Sequence, residues 1–250
     1  MTQAYYDGLA PFYKLFYADW EASVKRQASA LDDVIREFFG HNAHRVLDAA
    51  CGIGTQCIGL AQLGYAVTAS DISPVEIEHA RLMAAQRNLN IEFCVADMRQ
   101  LWHVHQKVYD VVIACDNALP HLLSDDEIRH AFEQFYQCTA PSGGCIISVR
   151  DYAKLEHADK ELYPRLTHEV AEGRVVIFDL WEFDREFYDL TTYIVEDKGH
   201  AVANAHVIRG GRYYCITIAT LEKLLLRAGF TRVKTLTDRF FQPLIVGVKE

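Results

Sequence analysis

Between residues 45 and 150, short β-rich runs alternate with amphipathic segments, and this rhythm limits what the chain can fold into. Arg45-Val-Leu-Asp-Ala, Ala66-Val-Thr-Ala-Ser, Ile91-Glu-Phe-Cys-Val, Val111-Val-Ile-Ala-Cys and Cys145-Ile-Ile-Ser-Val are strand-length. Helical stretches over 55–63, 74–87 and 125–138 separate most of them, and Ser73 before Pro74 reads as a cap followed by a first-turn proline. A Pro141-Ser-Gly-Gly turn precedes the fifth strand, and 24–39 is a further helix ahead of the first. Parallel strands need crossovers, which helices supply. With two further strands near the C-terminus, the pattern predicts a doubly wound, Rossmann-like, mostly parallel seven-stranded sheet with helices on both faces.

Downstream the pattern changes. Residues 175–183, 188–196 and 203–209 are consecutive strand-like runs with no helix between them, and Glu196-Asp-Lys-Gly reads as a hairpin turn. Helix 217–228, stopped by Gly229, and strands 231–236 and 243–248 restore the earlier pattern. No Pro/Gly/Ser-rich stretch divides the chain, so one domain over 1–250 is expected. Within it, 1–40 is a helical cap, 41–150 the sheet core, 151–212 an antiparallel β-rich insertion covering a substrate, and 213–250 the final helix and hairpin.

Half of the residues are hydrophobic and 24% are charged, which excludes disorder. A formal charge of −9, from 25 basic against 34 acidic residues, gives no reason to bind nucleic acid. No run approaches the ~20 apolar residues of a membrane span, and the first ten residues lack the features of a signal peptide. Seven cysteines form no CxxC pair and no Cys/His spacing. Reduced thiols, a cytoplasmic location and no metal are the expectation.

The most informative segment is Val46-Leu-Asp48-Ala-Ala50-Cys-Gly52-Ile-Gly54-Thr-Gln, between the first strand and the first crossover helix. Small residues there let a ligand lie against the backbone and the helix N-terminus. An acid entering the loop suits a cationic ligand, and the GxGxxG spacing of dinucleotide sites is absent. Asp71 ends the second strand at about the twenty-residue distance from which an acid meets ribose hydroxyls. Its plainer role would be to cap the following helix. Asp97-Met98 ends the third, where an acid can read an adenine amino group beside an apolar cover, unless Asp97 is an ordinary strand-end acid. All three acids fall on the carboxyl edge, where such sheets bind ligands.

VLDAACGIGTQ, TASDIS, VADM and YDVVIACDNALPHL, in that order, resemble the class I S-adenosylmethionine-dependent methyltransferases. The resemblance implies S-adenosylmethionine as cofactor, with Asp48, Ala50 and Gly52 along its methionine part, Asp71 on the ribose, and Asp97 and Met98 at the adenine, whose other face Ile72 covers. Ala50-Cys51 departs from the more glycine-rich loop common in the family. Within that class, the chain resembles glycine N-methyltransferase and glycine/sarcosine methyltransferases. That likeness implies cofactor contacts from Tyr17, Arg26 (or Lys25), Cys115 and His121, and substrate contacts from Asn117, Arg150 and Tyr213.

The residues also admit plainer roles. Arg150 could pair with Asp151 or Glu156, Asn117 could cap a turn, and Tyr5, Tyr6, Tyr13 and Tyr17 could form an apolar helix face. The resemblance implies N-methylation of a small carboxylate-bearing amine, such as glycine or sarcosine, by proximity and orientation. No catalytic base is assigned, although His121 is the candidate that titrates near neutral pH. An O- or carboxyl-methyltransferase of another metabolite, or a non-catalytic sensor of S-adenosylmethionine or S-adenosylhomocysteine, would use the same loop and acids.

Overall fold

The computed structural model describes residues 2–155 and 158–250. Helix α1 (Thr2–Leu9), a 3-10 turn (Ala10–Phe16) and α2 (Trp20–Phe39) precede the core. There β1 (Arg45–Asp48), α3 (Thr55–Gln62), β2 (Ala66–Asp71), α4 (Pro74–Ala85), β3 (Glu92–Val95), α5 (Leu101–His105), β4 (Tyr109–Ala114), α6 (Asp125–Cys138) and β5 (Thr139–Ser148) alternate. Four long strands follow: β6 (Lys160–Val170), β7 (Gly173–Asp184), β8 (Phe187–Asp197) and β9 (Asn204–Tyr214). The chain then adds α7 (Ile218–Arg227), β10 (Thr231–Leu236) and β11 (Leu244–Val248).

The larger sheet has seven strands in the order β10-β11-β5-β4-β1-β2-β3. β1 pairs in parallel with both β2 and β4, whereas β11 is antiparallel to both of its neighbours. The mostly parallel, doubly wound sheet expected from the alternation is therefore present. Neighbouring residues on one strand serve opposite faces. Val46, Val111, Ile113 and Ile146 join the core under α2, α3 and α4, while Leu47, Val112 and Ile147 join the core under α6 and α7.

The smaller sheet is an antiparallel meander, β6-β7-β8-β9, as the insertion pattern implies. Its first strand was not expected. Pro164 argues against a strand in sequence, but β6 is an edge strand and its register shifts between Pro164 and Leu166, where a missing N–H is tolerated. The expected Pro141-Ser-Gly-Gly turn is likewise corrected, because these residues lie inside β5, with a register shift against β4. Glycine is required by close backbone approach. A Cβ on Gly143 would stand 2.3 Å from the Asp110 carbonyl, and one on Gly144 2.2 Å from that of Gly247.

Helix α1 packs on β9 and α4, so the N-terminal segment spans from the small sheet to the large one. Tyr5 anchors it. Its ring is buried and its hydroxyl meets Thr192 Oγ1 at 2.9 Å, while Thr192 donates to Asp179 Oδ1 at 2.7 Å. Arg165 donates to the other oxygen of Asp179 at 2.5 Å, which compensates the fully buried carboxylate.

Helices α2 and α3 touch at Gly59, where an added Cβ would lie 2.6 Å from Ala28 Cβ and 2.8 Å from the Val24 carbonyl oxygen. Alanine favours a helix over glycine by about 1 kcal/mol, but relieving this clash moves the helices apart, at about 1–3 kcal/mol. Gly59→Ala should therefore lower stability in urea titrations. An unchanged or raised midpoint would contradict the close packing of α2 on α3.

Candidate functional site

In the large sheet the strand order reverses between β1 and β4, so the loops leaving their carboxyl ends diverge and open a crevice. A cavity of about 320 Å³ lies there. Ala50, Cys51 and Gly52 from the β1 loop, Asp71 and Ile72 after β2, Asp97 and Met98 after β3, and Cys115 and His121 after β4 all line it. Gly52 and Gly54 have φ of +52° and +99°, which brings the loop backbone close to the cavity.

The acids do not act alike. Asp71 clamps two loops, accepting N–H bonds from Gly52 on Oδ2 and Ser73 on Oδ1, both at 2.9 Å. Its carboxylate still lines the cavity, and burial raises its pKa. Asp48 is not on the wall. It lies buried beneath the loop, with the Ala50 N–H 3.4 Å from Oδ1 and no partner for Oδ2, and burial pushes its pKa up to about 7. Asp97 is held by Arg99, which donates from Nε at 3.0 Å and from its terminal nitrogen at 2.6 Å, and Arg99 also meets Glu127 at 2.5 Å. Burial alone would raise the pKa of Asp97, yet the bonds from Arg99 outweigh it and leave a net lowering.

A second cavity of about 650 Å³ opens between the large sheet, the N-terminal segment and the small sheet. Arg26, Asn117, Arg150 and Tyr213 line it, and Tyr17 lines both cavities. Arg26 is exposed and donates to Ser23 Oγ at 2.9 Å; Lys25 lines neither cavity. Asn117 is structurally engaged, donating to the Tyr152 hydroxyl at 2.7 Å and accepting the Arg150 N–H at 3.0 Å. The Arg150 guanidinium lies 4.5 Å over Trp181 and donates to the Tyr188 hydroxyl at 3.3 Å. Among the described residues no carboxylate pairs with it. Asp151 pairs instead with Lys154, and Glu156 lies outside the described residues.

His121 belongs to a hydrogen-bonded chain. Its Nδ1 lies 3.0 Å from the Arg212 carbonyl, which only accepts, so Nδ1 carries the proton. Nε2 is then the acceptor for the Tyr6 hydroxyl at 2.6 Å, and the Tyr213 hydroxyl lies 3.3 Å from that of Tyr6. Tyr213 also packs 3.9 Å from the His121 ring and stacks on Tyr188 at 4.8 Å. Burial lowers the pKa of His121 to about 4, against the raising effect of the bond to Arg212. The basic lone pair suggested by sequence is thus committed to Tyr6. The four N-terminal tyrosines divide, with Tyr5 buried in the core and reaching only the second cavity, and Tyr6, Tyr13 and Tyr17 on both cavities.

Glu76, Asp116 and Arg165 also line these cavities and were not singled out from sequence. Glu76 sits in the first turn of α4, three residues after Ser73, a spacing that reads as helix capping. In the fold its Oε1 is buried without a partner. Arg165 is on the unforeseen strand β6, and Asp116 was hidden between two residues that the motif made conspicuous. Cys51 is buried, which raises its pKa far above the range of a nucleophile. The described residues hold no group of three metal-ligating side chains and no helix long and apolar enough to cross a membrane.

Known proteins match this architecture. A family described as a methyltransferase domain matches residues 46–143. Glycine/sarcosine N-methyltransferase of Aphanothece halophytica is 31% identical over 54% of this chain and 49% of its own length, so the chain spans about half of that relative. Streptomyces venezuelae DesVI superposes with a TM-score of 0.81 at 19% identity, over 96% of this chain and 98% of its own. The S-adenosylmethionine-bound CalS10, an amino pentose methyltransferase from Micromonospora echinaspora, superposes with a TM-score of 0.77 at 17% identity, over 91% and 92%. Residues 46–143 therefore match a methyltransferase domain, and the chain as a whole shares the fold of these methyltransferases.

The lowered pKa of His121 has a testable sign. Its ordinary value is 6.5 and its folded value is about 4, so the neutral ring's contribution to stability is complete above 6.5 and is lost as pH falls toward 4. Nitrogen NMR of labelled histidine should show a neutral ring protonated on Nδ1 at pH 5.5. A midpoint near 6.5 would contradict the chain through Tyr6.

Proposed function

We propose that the protein N-methylates a small carboxylate-bearing amine held in the second cavity, with its carboxylate on Arg150. The observation that carries this reading is the Arg150 guanidinium itself, which lines the cavity, is braced by Trp181 and Tyr188, and has no carboxylate partner among the described residues. Its planar fork suits a carboxylate in two parallel bonds. Asn117 fixes the backbone from which it projects.

The first cavity fits a cationic, hydroxyl-rich cofactor. Its walls carry the acids Asp71, Glu76, Asp97 and Asp116, and the buried Oε1 of Glu76 lacks a donor that a ribose hydroxyl would supply. Ile72 and Met98 offer apolar faces for an adenine, with Asp97 beside it, and Ala50 and Gly52 offer backbone to the methionine part. Asp48 would act through the loop from beneath. Tyr17 closes the methionine end and Cys115 and His121 the side toward β4, whereas Arg26 stands on the second cavity rather than on this one. When bound, S-adenosylmethionine supplies an electrophilic methyl group on sulfur. Tyr6, Tyr13 and Tyr17 line both cavities and give their junction an aromatic wall.

A second acceptor class has some support. At about 650 Å³, with Tyr163, Tyr188 and Tyr213 among its walls, the second cavity has room for an amino sugar, the kind of acceptor named for the CalS10 neighbour. Labelled cofactor supplied with glycine, sarcosine or glucosamine separates the classes. N-methylated glycine or sarcosine is expected, and product from glucosamine alone would favour the sugar. For a carboxylate-bearing acceptor, Arg150→Ala should raise KM by about 10- to 100-fold, with cofactor affinity unchanged. An unaltered KM would refute the carboxylate clamp.

A further inference from the structure

Methyl transfer must take place where the two cavities meet, and the residues shared by their walls are Tyr6, Tyr13, Tyr17 and Asp116. Asp116 is the carboxylate among them. It and Asn117 have φ of +56° and +65°, two successive left-handed residues of the types that tolerate this conformation. The turn is held by bonds from the Asp116 N–H to Ser148 Oγ at 2.7 Å and from the Asn117 N–H to the Ser148 carbonyl at 3.1 Å. Backbone strain secured in this way is characteristic of functional positions.

The groups that face Asp116 leave its charge available. From the N-terminal segment, the Tyr17 hydroxyl lies 3.4 Å from Oδ2, and Tyr13 also favours the ionised form. Arg165 on β6 and Arg150 after β5 act at longer range, the former already paired with Asp179, and Glu76 on α4 opposes it. No ion pair engages Asp116 among the described residues. An amine that arrives as an ammonium must lose a proton before nitrogen can attack. His121 has no free lone pair, and burial holds the hydroxyls of Tyr13 and Tyr17 protonated.

We propose that Asp116 is the catalytic base of this junction, taking one proton from the acceptor's ammonium and holding the neutral amine in line for transfer. The inference rests on the amine reading above. The proton passes from nitrogen to a carboxylate oxygen of Asp116. The nitrogen lone pair then forms the N–C bond to the methyl carbon as the C–S bond breaks, its electron pair going to sulfur. The methylated ammonium leaves, and Asp116 returns its proton to solvent. Burial raises the pKa of Asp116, which brings a carboxylate closer to the range of an effective base.

Asp116→Asn and Asp116→Gly test this, since both residues accept the left-handed backbone. The assay is methyl transfer to the panel of glycine, sarcosine and glucosamine from pH 6.5 to 10, with S-adenosylhomocysteine affinity measured by calorimetry. Both variants should bind S-adenosylhomocysteine within about twofold of wild type. Both should lose about 100-fold or more in acceptor kcat/KM at pH 7, with the deficit shrinking as rising pH supplies free amine. A loss under about threefold, or a larger loss that is constant across pH, overturns the assignment. So does failure of both variants to bind S-adenosylhomocysteine, which would make Asp116 a structural clamp. Turnover by wild type with unimpaired variants overturns this inference alone, whereas a wild type that methylates none of the three amines overturns the amine reading as well.

Discussion

The reversal of strand order between β1 and β4 is the constraint on which the rest of the structure depends. Crossovers that run to opposite sides cannot fill the space between them, so the sheet is obliged to leave a crevice at that point. Everything chemical is arranged around it. The β1 loop contributes backbone rather than side chains, and the Asp71 carboxylate ties that loop to the start of α4 through the Gly52 and Ser73 amides. One buried acid therefore fixes the geometry of two loops while keeping its charge on the cavity wall.

A crevice on one sheet would expose a bound sulfonium to water unless something covered it. The small sheet and the N-terminal helix provide the cover, joined through Tyr5, Thr192, Asp179 and Arg165. His121 contributes to the same cover in a different way. As a neutral ring with a fixed tautomer it connects the β4 loop to β9 and to α1, so three separate segments meet through one imidazole. A charged ring in that place would lose its acceptor role toward Tyr6 and would be poorly solvated.

The parallel core was legible because strand and helix periods differ, and a loop rich in small residues between a strand and a helix has few other uses. What the sequence obscured depends on long-range placement. Pro164 hid β6 because its meaning changes when the strand is at an edge and carries a bulge. Pro141-Ser-Gly-Gly resembled a turn, although its glycines answer to the Asp110 and Gly247 carbonyls on flanking strands. Among the site residues, Asp71, Ile72, Met98 and Arg150 could be placed because each closes or follows a recognisable strand. Glu76 and Asp116 could not, since nothing local distinguishes a solvated acid from one that the fold turns into a cavity. Asp48 shows the converse, a motif acid that the fold places beneath the wall.

The buried oxygens without partners carry a further implication. Asp48 Oδ2 and Glu76 Oε1 lie under or beside the same loop, and burial raises the pKa of both groups. Such groups destabilise the fold that contains them, because each gives up water without gaining a donor. Their proximity to the cofactor cavity makes the cost conditional on its contents. A ligand that brings hydroxyls and positive charge to the cavity stabilises the folded chain beyond the area it buries, by satisfying Glu76 and by lowering the penalty on the negative charge of Asp48 and Asp71. Affinity for a cationic ligand and a cost to the fold in its absence would then share one physical origin, the concentration of uncompensated acid around a loop that has no cationic side chain to answer it.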